Sequence, residues 1–161
     1  MSQVHLSVAV TDNEALVKVS GRATFECCED LKKFCSRILS QNNATLIFEM
    51  GECQGMDSTF MGTLTQFSLE AMKKSSLIEM RNVSQDNKKN LESIGLKKMF
   101  RFSDGDTKQM KVTFEEIEQT EVTQDQHKEN VLNAHQVLID VHEPNREEFQ
   151  DIVTFLKENP E

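Results

Sequence analysis

The chain has 161 residues, enough for one hydrophobic core with an appended element. A formal net charge of −9 argues against nucleic acid as a partner, because phosphate backbones call for clustered Lys and Arg. There is no run of about 18 apolar residues, and residues 1–6 lack a basic segment leading into an apolar one, so the expectation is a soluble cytoplasmic protein with no membrane span and no secretory signal.

Val4, Leu6, Val8 and Val10 alternate with smaller or polar residues, the period of a half-buried strand. Residues 11–14 carry turn chemistry, and residues 15–19 read as the returning strand of a hairpin that Ser20 and Gly21 end. Thr24 is placed to cap a helix over about 25–39. Its inward stripe is Cys27, Leu31, Phe34, Cys35 and Ile38, with Glu29, Asp30, Lys32, Lys33 and Arg37 on the outer side. Residues 45–50 form the next strand, and its run Leu46, Ile47, Phe48 is apolar on both faces, as in a central strand covered on both sides.

A second helix begins near Thr59 and turns Met61, Leu64, Phe67 or Ser68, and Ala71 or Met72 inward. Residues 77–80 are a further strand. Ser84 caps a third helix that closes with Gly95 at C′ and Leu96 at C″. Residues 100–102 start another extended segment, residues 103–106 are a turn, and residues 110–114 read as a short strand. The remainder is helical. Residues 125–141 place Val131, Leu138 and Val141 on one stripe beside Ala134 and His135, and Pro144 breaks the chain. Asn145 then caps a last helix, with Glu148 at the capping-box position. The pattern predicts an α/β fold, a mixed sheet packed with helices, followed by a C-terminal helical hairpin. The hairpin packs on the sheet domain or forms the seam of a homodimer. Residues 123–161 hold 9 acidic and 3 basic side chains, a net of −6 of the total −9, which marks the tail as a separate module.

The most informative stretch is Cys53 to Gly62, where a strand hands over to a helix at Ser58. Such a junction is an anion site: free backbone N–H groups point outward and the helix dipole favours negative charge. Ser58 is therefore either a phosphoacceptor or an ordinary N-cap, and capping alone contributes about 1 kcal/mol. The four cysteines (27, 28, 35 and 53) form no C-x-x-C pair and are not spaced with the four histidines as metal ligands, so they read as buried free thiols. His127, His135 and His142 lie too far apart along the helix for a metal stripe and read as surface or packing residues. There is no Ser-His-Asp order, paired catalytic carboxylate or phosphate-cradling glycine loop, so no enzyme activity, cofactor or metal is expected. Cys53 as an activated thiol near the same junction is the rival enzyme reading, but no base is placed to help it.

The element order and the Ser58 junction resemble the STAS domain family, in particular the bacterial anti-sigma factor antagonists. The match is carried by the hairpin ending in Gly21, the helix leading to residues 46–50, the motif Met56, Asp57, Ser58, Thr59 and Gly62, and the helix end Leu91, Ile94, Gly95, Leu96 followed by Lys97 to Phe100. It assigns residues 1–115 to a STAS domain and leaves 116–161 as an acidic linker and helical hairpin. Two positions depart from the family pattern: Phe60 stands where glycine is usual, and Arg22 where an acidic residue is common. The resemblance implies that Ser58 is phosphorylated, with Thr59 as a second candidate acceptor, and that Asp57, Thr59, Phe60 and Met61 meet the partner. It also implies an anti-sigma factor or serine protein kinase as that partner, and a metal-dependent serine phosphatase that reverses the modification. The alternative is a non-switching STAS subunit of a signalling or transport assembly.

Overall fold

The computed structural model describes residues 3–12, 14–105 and 112–159. Strand β1 (His5–Val10) pairs antiparallel with β2 (Glu14–Ala23), and β2 runs parallel to β3 (Thr45–Met56). Strands β4 (Leu77–Arg81) and β5 (Arg101–Ser103) add in parallel on one side, and β6 (Glu115–Glu116) pairs antiparallel with β1 on the other. The six-stranded sheet has the order β5-β4-β3-β2-β1-β6, the mixed α/β architecture expected from the alternation of elements. At the hairpin turn the Thr11 amide donates to the Glu14 carbonyl at 2.8 Å; Asn13 lies outside the described residues.

Strand alternation sets the two faces. Leu46, Phe48 and Met50 of β3 join the main core beneath the helices, while Ile47 meets Ala9 and Leu16 on the opposite face. That second face is covered near Ile47 by Val112 and Phe114, so β3 is buried on both sides, one of them without a helix. Asp106, at the end of the expected turn 103–106, and residues 110 and 111 of the expected strand 110–114 lie outside the described residues. Residues 112–114 are not strand, and pairing with β1 starts at Glu115.

Helix α1 (Cys28–Leu39) follows a single 3-10 turn (Phe25–Cys27) whose N-cap is Thr24, so the cap serves the turn rather than the α-helix. Asp30, expected on the outer side, is buried because Thr120 of the segment after β6 bonds its carboxylate through both hydroxyl (2.5 Å) and amide (3.2 Å). Helix α3 (Gln85–Ser93) is capped by Ser84, which accepts from the Asn87 amide, and it ends in the expected glycine turn. Gly95 has φ +77°, and the Leu96 amide reaches the Leu91 carbonyl at 2.9 Å while Gly95 reaches Glu92 at 3.0 Å, the paired bonds of a Schellman end.

Two strands run further than expected. Strand β2 continues past Ser20 and Gly21 to Ala23, and β3 continues past Met50 to Met56; the added residues pair with each other across register shifts. This extension brings Ala23 and Asp57 together, with the Asp57 amide donating to the Ala23 carbonyl at 2.9 Å.

Helix α2 (Ser58–Lys73) is buried on nearly every side over its first half, and its most extensive helix contact is with α4 (Gln124–Val141). Helix α5 (Asn145–Glu158) packs back on α4. Leu138, Ile139, Phe149 and Val153 enter the same core as the sheet residues, so within one chain the hairpin lies on the sheet domain. Asn145 does not cap α5. It is the first helical residue, buried, and its side-chain amide donates to the Ile94 and Leu138 carbonyls at 2.9 and 2.8 Å. One amide thus pins the hairpin turn to the end of α3. Replacing it leaves two buried carbonyls short of a donor, and Asn145→Ala is expected to cost about 1–3 kcal/mol. Urea unfolding should show a lower midpoint at unchanged slope.

Candidate functional site

Asp57, not Ser58, is the N-cap of α2. Its Oδ1 accepts from the Phe60 amide at 2.8 Å, and its Oδ2 accepts from the Phe25 amide at 2.9 Å. One carboxylate therefore satisfies an orphan donor of the helix and holds the turn before α1 against the start of α2. The helix begins at Ser58, one residue earlier than expected, and the N-cap reading of Ser58 is corrected: its neighbour already does that work.

The Ser58 hydroxyl is half-buried and lies 2.8 Å from Nε2 of His135 on α4. His135 Nδ1 lies 2.7 Å from the Val131 carbonyl, which can only accept, so the proton belongs on Nδ1. In the neutral ring Nε2 is then the acceptor, and Ser58 donates to it. The imidazole is buried and stands edge-on to Phe149 of α5, ring centroids 5.0 Å apart. Two helices of the tail thus hold one ring over one hydroxyl.

Close approach makes this reach possible. A Cβ added to Gly62 would run into the Ala134 backbone, so α2 and α4 meet main chain to main chain one turn after Ser58. On the N-terminal side of that contact along α4 the interface is polar. Lys32 of α1 donates to the Asn130 side-chain oxygen at 2.9 Å, and burial pushes the Lys32 ammonium pKa down. His127 meets Phe25 edge-on at 5.1 Å.

Of the other residues expected at the site, Thr59 and Met61 are buried and Phe60 is fully enclosed in the core. Phe60 is thus part of the packing beneath α2 rather than an exposed apolar group. The Thr59 carbonyl accepts from the Thr63 hydroxyl at 2.8 Å. His135, absent from the expected site, is its nearest side-chain partner. The sequence offers one faint sign of it, a histidine beside Ala134 on the apolar stripe of α4, but the partner lies 77 residues away.

All four cysteines are free and buried. Burial pushes the Cys53 and Cys35 thiols above their usual range, and Cys27 is raised by its contact with the Cys28 thiol together with burial. Cys53 donates to the Gly55 carbonyl at 3.3 Å, a structural rather than an activated thiol. Among the described residues no group of three or more His, Cys, Asp or Glu is placed to hold a metal ion, and no helix is long and apolar enough to cross a membrane.

Two outcomes follow from this geometry. In a double-mutant cycle of Ser58→Ala and His135→Ala, unfolding free energies should couple by about 1 kcal/mol, the worth of one hydrogen bond. Iodoacetamide at neutral pH should leave the native thiols unmodified by mass spectrometry and label all four in urea, because burial shields each of them and the raised pKa of Cys27, Cys35 and Cys53 further withholds their thiolates.

A family model described as "Mlab, STAS domain" matches residues 6–101, more than half of the chain. A search of curated proteins finds no match. Among solved structures, the anti-sigma factor antagonist SpoIIAA in its unphosphorylated form superposes with a TM-score of 0.53 at 18% identity, covering 67% of this chain and 90% of that one. The Bacillus cell fate determinant SpoIIAA in its phosphorylated form gives 0.52 at 18% identity, covering 67% and 94%. At that identity the likeness is one of fold. With the sheet order, the Asp57–Ser58 helix start and the Gly95 turn in place, the chain belongs to the STAS domain family.

Proposed function

We propose that this chain is a non-enzymatic, cytoplasmic protein-binding switch of the anti-sigma factor antagonist type, with Ser58 as its phosphoacceptor. The observation that carries this reading is the division of labour at the start of α2: Asp57 caps the helix, so the Ser58 hydroxyl is not committed to its own backbone. A phosphate there adds about −1.5 to −2 charge at a helix N-terminus, where the dipole favours it, beside the existing charge of Asp57. The sheet and helices α1 to α3 need not change for this corner to become strongly anionic. A partner that packs on this corner would face both desolvation and repulsion by any acidic group of its own. The partner is then an anti-sigma factor or serine protein kinase, and a metal-dependent serine phosphatase restores the hydroxyl. SpoIIAA, which shares the fold, is known in a phosphorylated form. Thr59, buried behind Ser58, is the weaker acceptor of the two.

The second reading is a non-switching STAS subunit of a signalling or transport assembly. It is favoured by one observation, the cover that His135 and α4 place over Ser58. Partner capture from the native host separates the two: Ser58→Asp weakens binding by tenfold or more (roughly 1.4 kcal/mol) if the switch operates, and leaves it intact in a constitutive subunit. Intact-mass analysis of the protein isolated from its host should show the added mass of one phosphoryl group, lost in Ser58→Ala. A wild-type protein that never carries it under any growth condition would overturn the switch.

A further inference from the structure

The α4–α5 hairpin lies beyond the family match, which ends at residue 101, yet it rests on the site. Its seat on the sheet domain has two unlike parts. Around Leu138, Ile139, Phe149 and Val153 it is apolar and enters the core. Around α1 it is polar and poorly matched: the buried His127 Nδ1 and Asn130 Nδ2 have no hydrogen-bond partner, and neither does Glu29 Oε2, one turn before Lys32 on α1. Each such group carries the penalty of lost hydration while it stays dry, a penalty relieved when water reaches it. The hairpin is therefore held by less than its contact area suggests.

We propose that the hairpin is a displaceable cover over the start of α2, and that a phosphoryl group on Ser58 and the docked hairpin exclude one another. This inference rests on the reading of Ser58 as the phosphoacceptor. Phosphoryl transfer from a nucleoside triphosphate forms the Oγ–P bond, breaks the bond from the γ-phosphorus to the departing nucleoside diphosphate, and passes the hydroxyl proton to the general base of the kinase. That proton is the one now shared with His135 Nε2, 2.8 Å away, so the hydrogen bond cannot survive the reaction. A phosphorus set along the present O–H direction would stand within the 2.8 Å that separates Oγ from Nε2, where the imidazole leaves no room for it and its three further oxygens. Helix α4 cannot yield by closing elsewhere, since Ala134 already rests against the Gly62 backbone. Linkage then requires the reverse as well: docking disfavours the phosphorylated state at equilibrium by as much as the phosphate opposes docking. The surface uncovered is the Gly62 face of α2, which fits another helix bearing a small residue where Ala134 sits and apolar residues in the following turn, as Leu138 does.

The test uses the full chain with phosphoserine encoded at position 58 during translation, followed by amide hydrogen exchange. Peptides of α4 and α5 should exchange about tenfold faster or more, while β2 and β3 keep wild-type rates, the signature of one unit opening alone. Hairpin peptides unchanged, or a sheet that loosens together with the hairpin, would overturn the proposal. Ala134→Glu, which leaves Ser58 intact, supplies the second arm: it should release the same peptides by itself, and phosphoserine added to that variant should accelerate them no further. An equal acceleration in both backgrounds would mean that phosphate and cover act independently, and the proposal fails. Because the phosphate is installed during translation, these results stand apart from whether the native host ever phosphorylates Ser58.

Discussion

The contact between the Gly62 and Ala134 backbones is the constraint on which the functional corner depends. Two helices carrying ordinary side chains at their crossing stand about 8–10 Å apart, and each added carbon holds them further off. With glycine on one side and alanine on the other, α4 comes close enough for the His135 ring to reach the first turn of α2. The same approach lowers Leu138 and Ile139 into the core, and α5 follows through Phe149 and Val153. Asn145 holds the far end of this arrangement to α3. Besides the hydrogen bonds at Ser58 and Lys32, the tail is joined to the STAS fold by one tight crossing, one buried amide and an apolar patch.

Asp57 organises the other half of the corner. Its two carboxylate oxygens serve two different chain segments, so the direction of α2 and the placement of the turn before α1 are set together. The strand extensions make this possible. Past Lys18 and Glu49 the pairing of β2 with β3 shifts register twice, which twists the ends and delivers Ala23 beside Asp57. Irregular pairing at the sheet's end thus positions the residue that frees Ser58 from capping.

Much of this was legible beforehand, for identifiable reasons. Alternation marked β1 and the start of β2, an unbroken apolar run marked β3 as central, and Ser84 and Gly95 punctuated α3, because these signals are local. What was hidden is decided by distant groups. Ser20 and Gly21 read as the end of β2 because only its partner strand reveals that pairing continues to Ala23. Asp30 was placed outward because Thr120, which buries it, lies 90 residues on. Asn145 carries the features of an N-cap, and two carbonyls from other elements claimed its side chain instead. The core seat of Phe60 went unread because α2 is covered on a second side by α4, and amphipathic counting assumes one covered face. His135 meets Ser58 only through tertiary packing, which no spacing within α4 encodes.

The sheet's margins have a consequence of their own. At one border β5 offers three residues, and at the other β6 lays two glutamates along β1. A long bare border invites a foreign chain to continue the ladder, whereas a short or negatively charged one repels such growth. Recruitment of other molecules by strand addition is thereby discouraged at both described borders of the sheet.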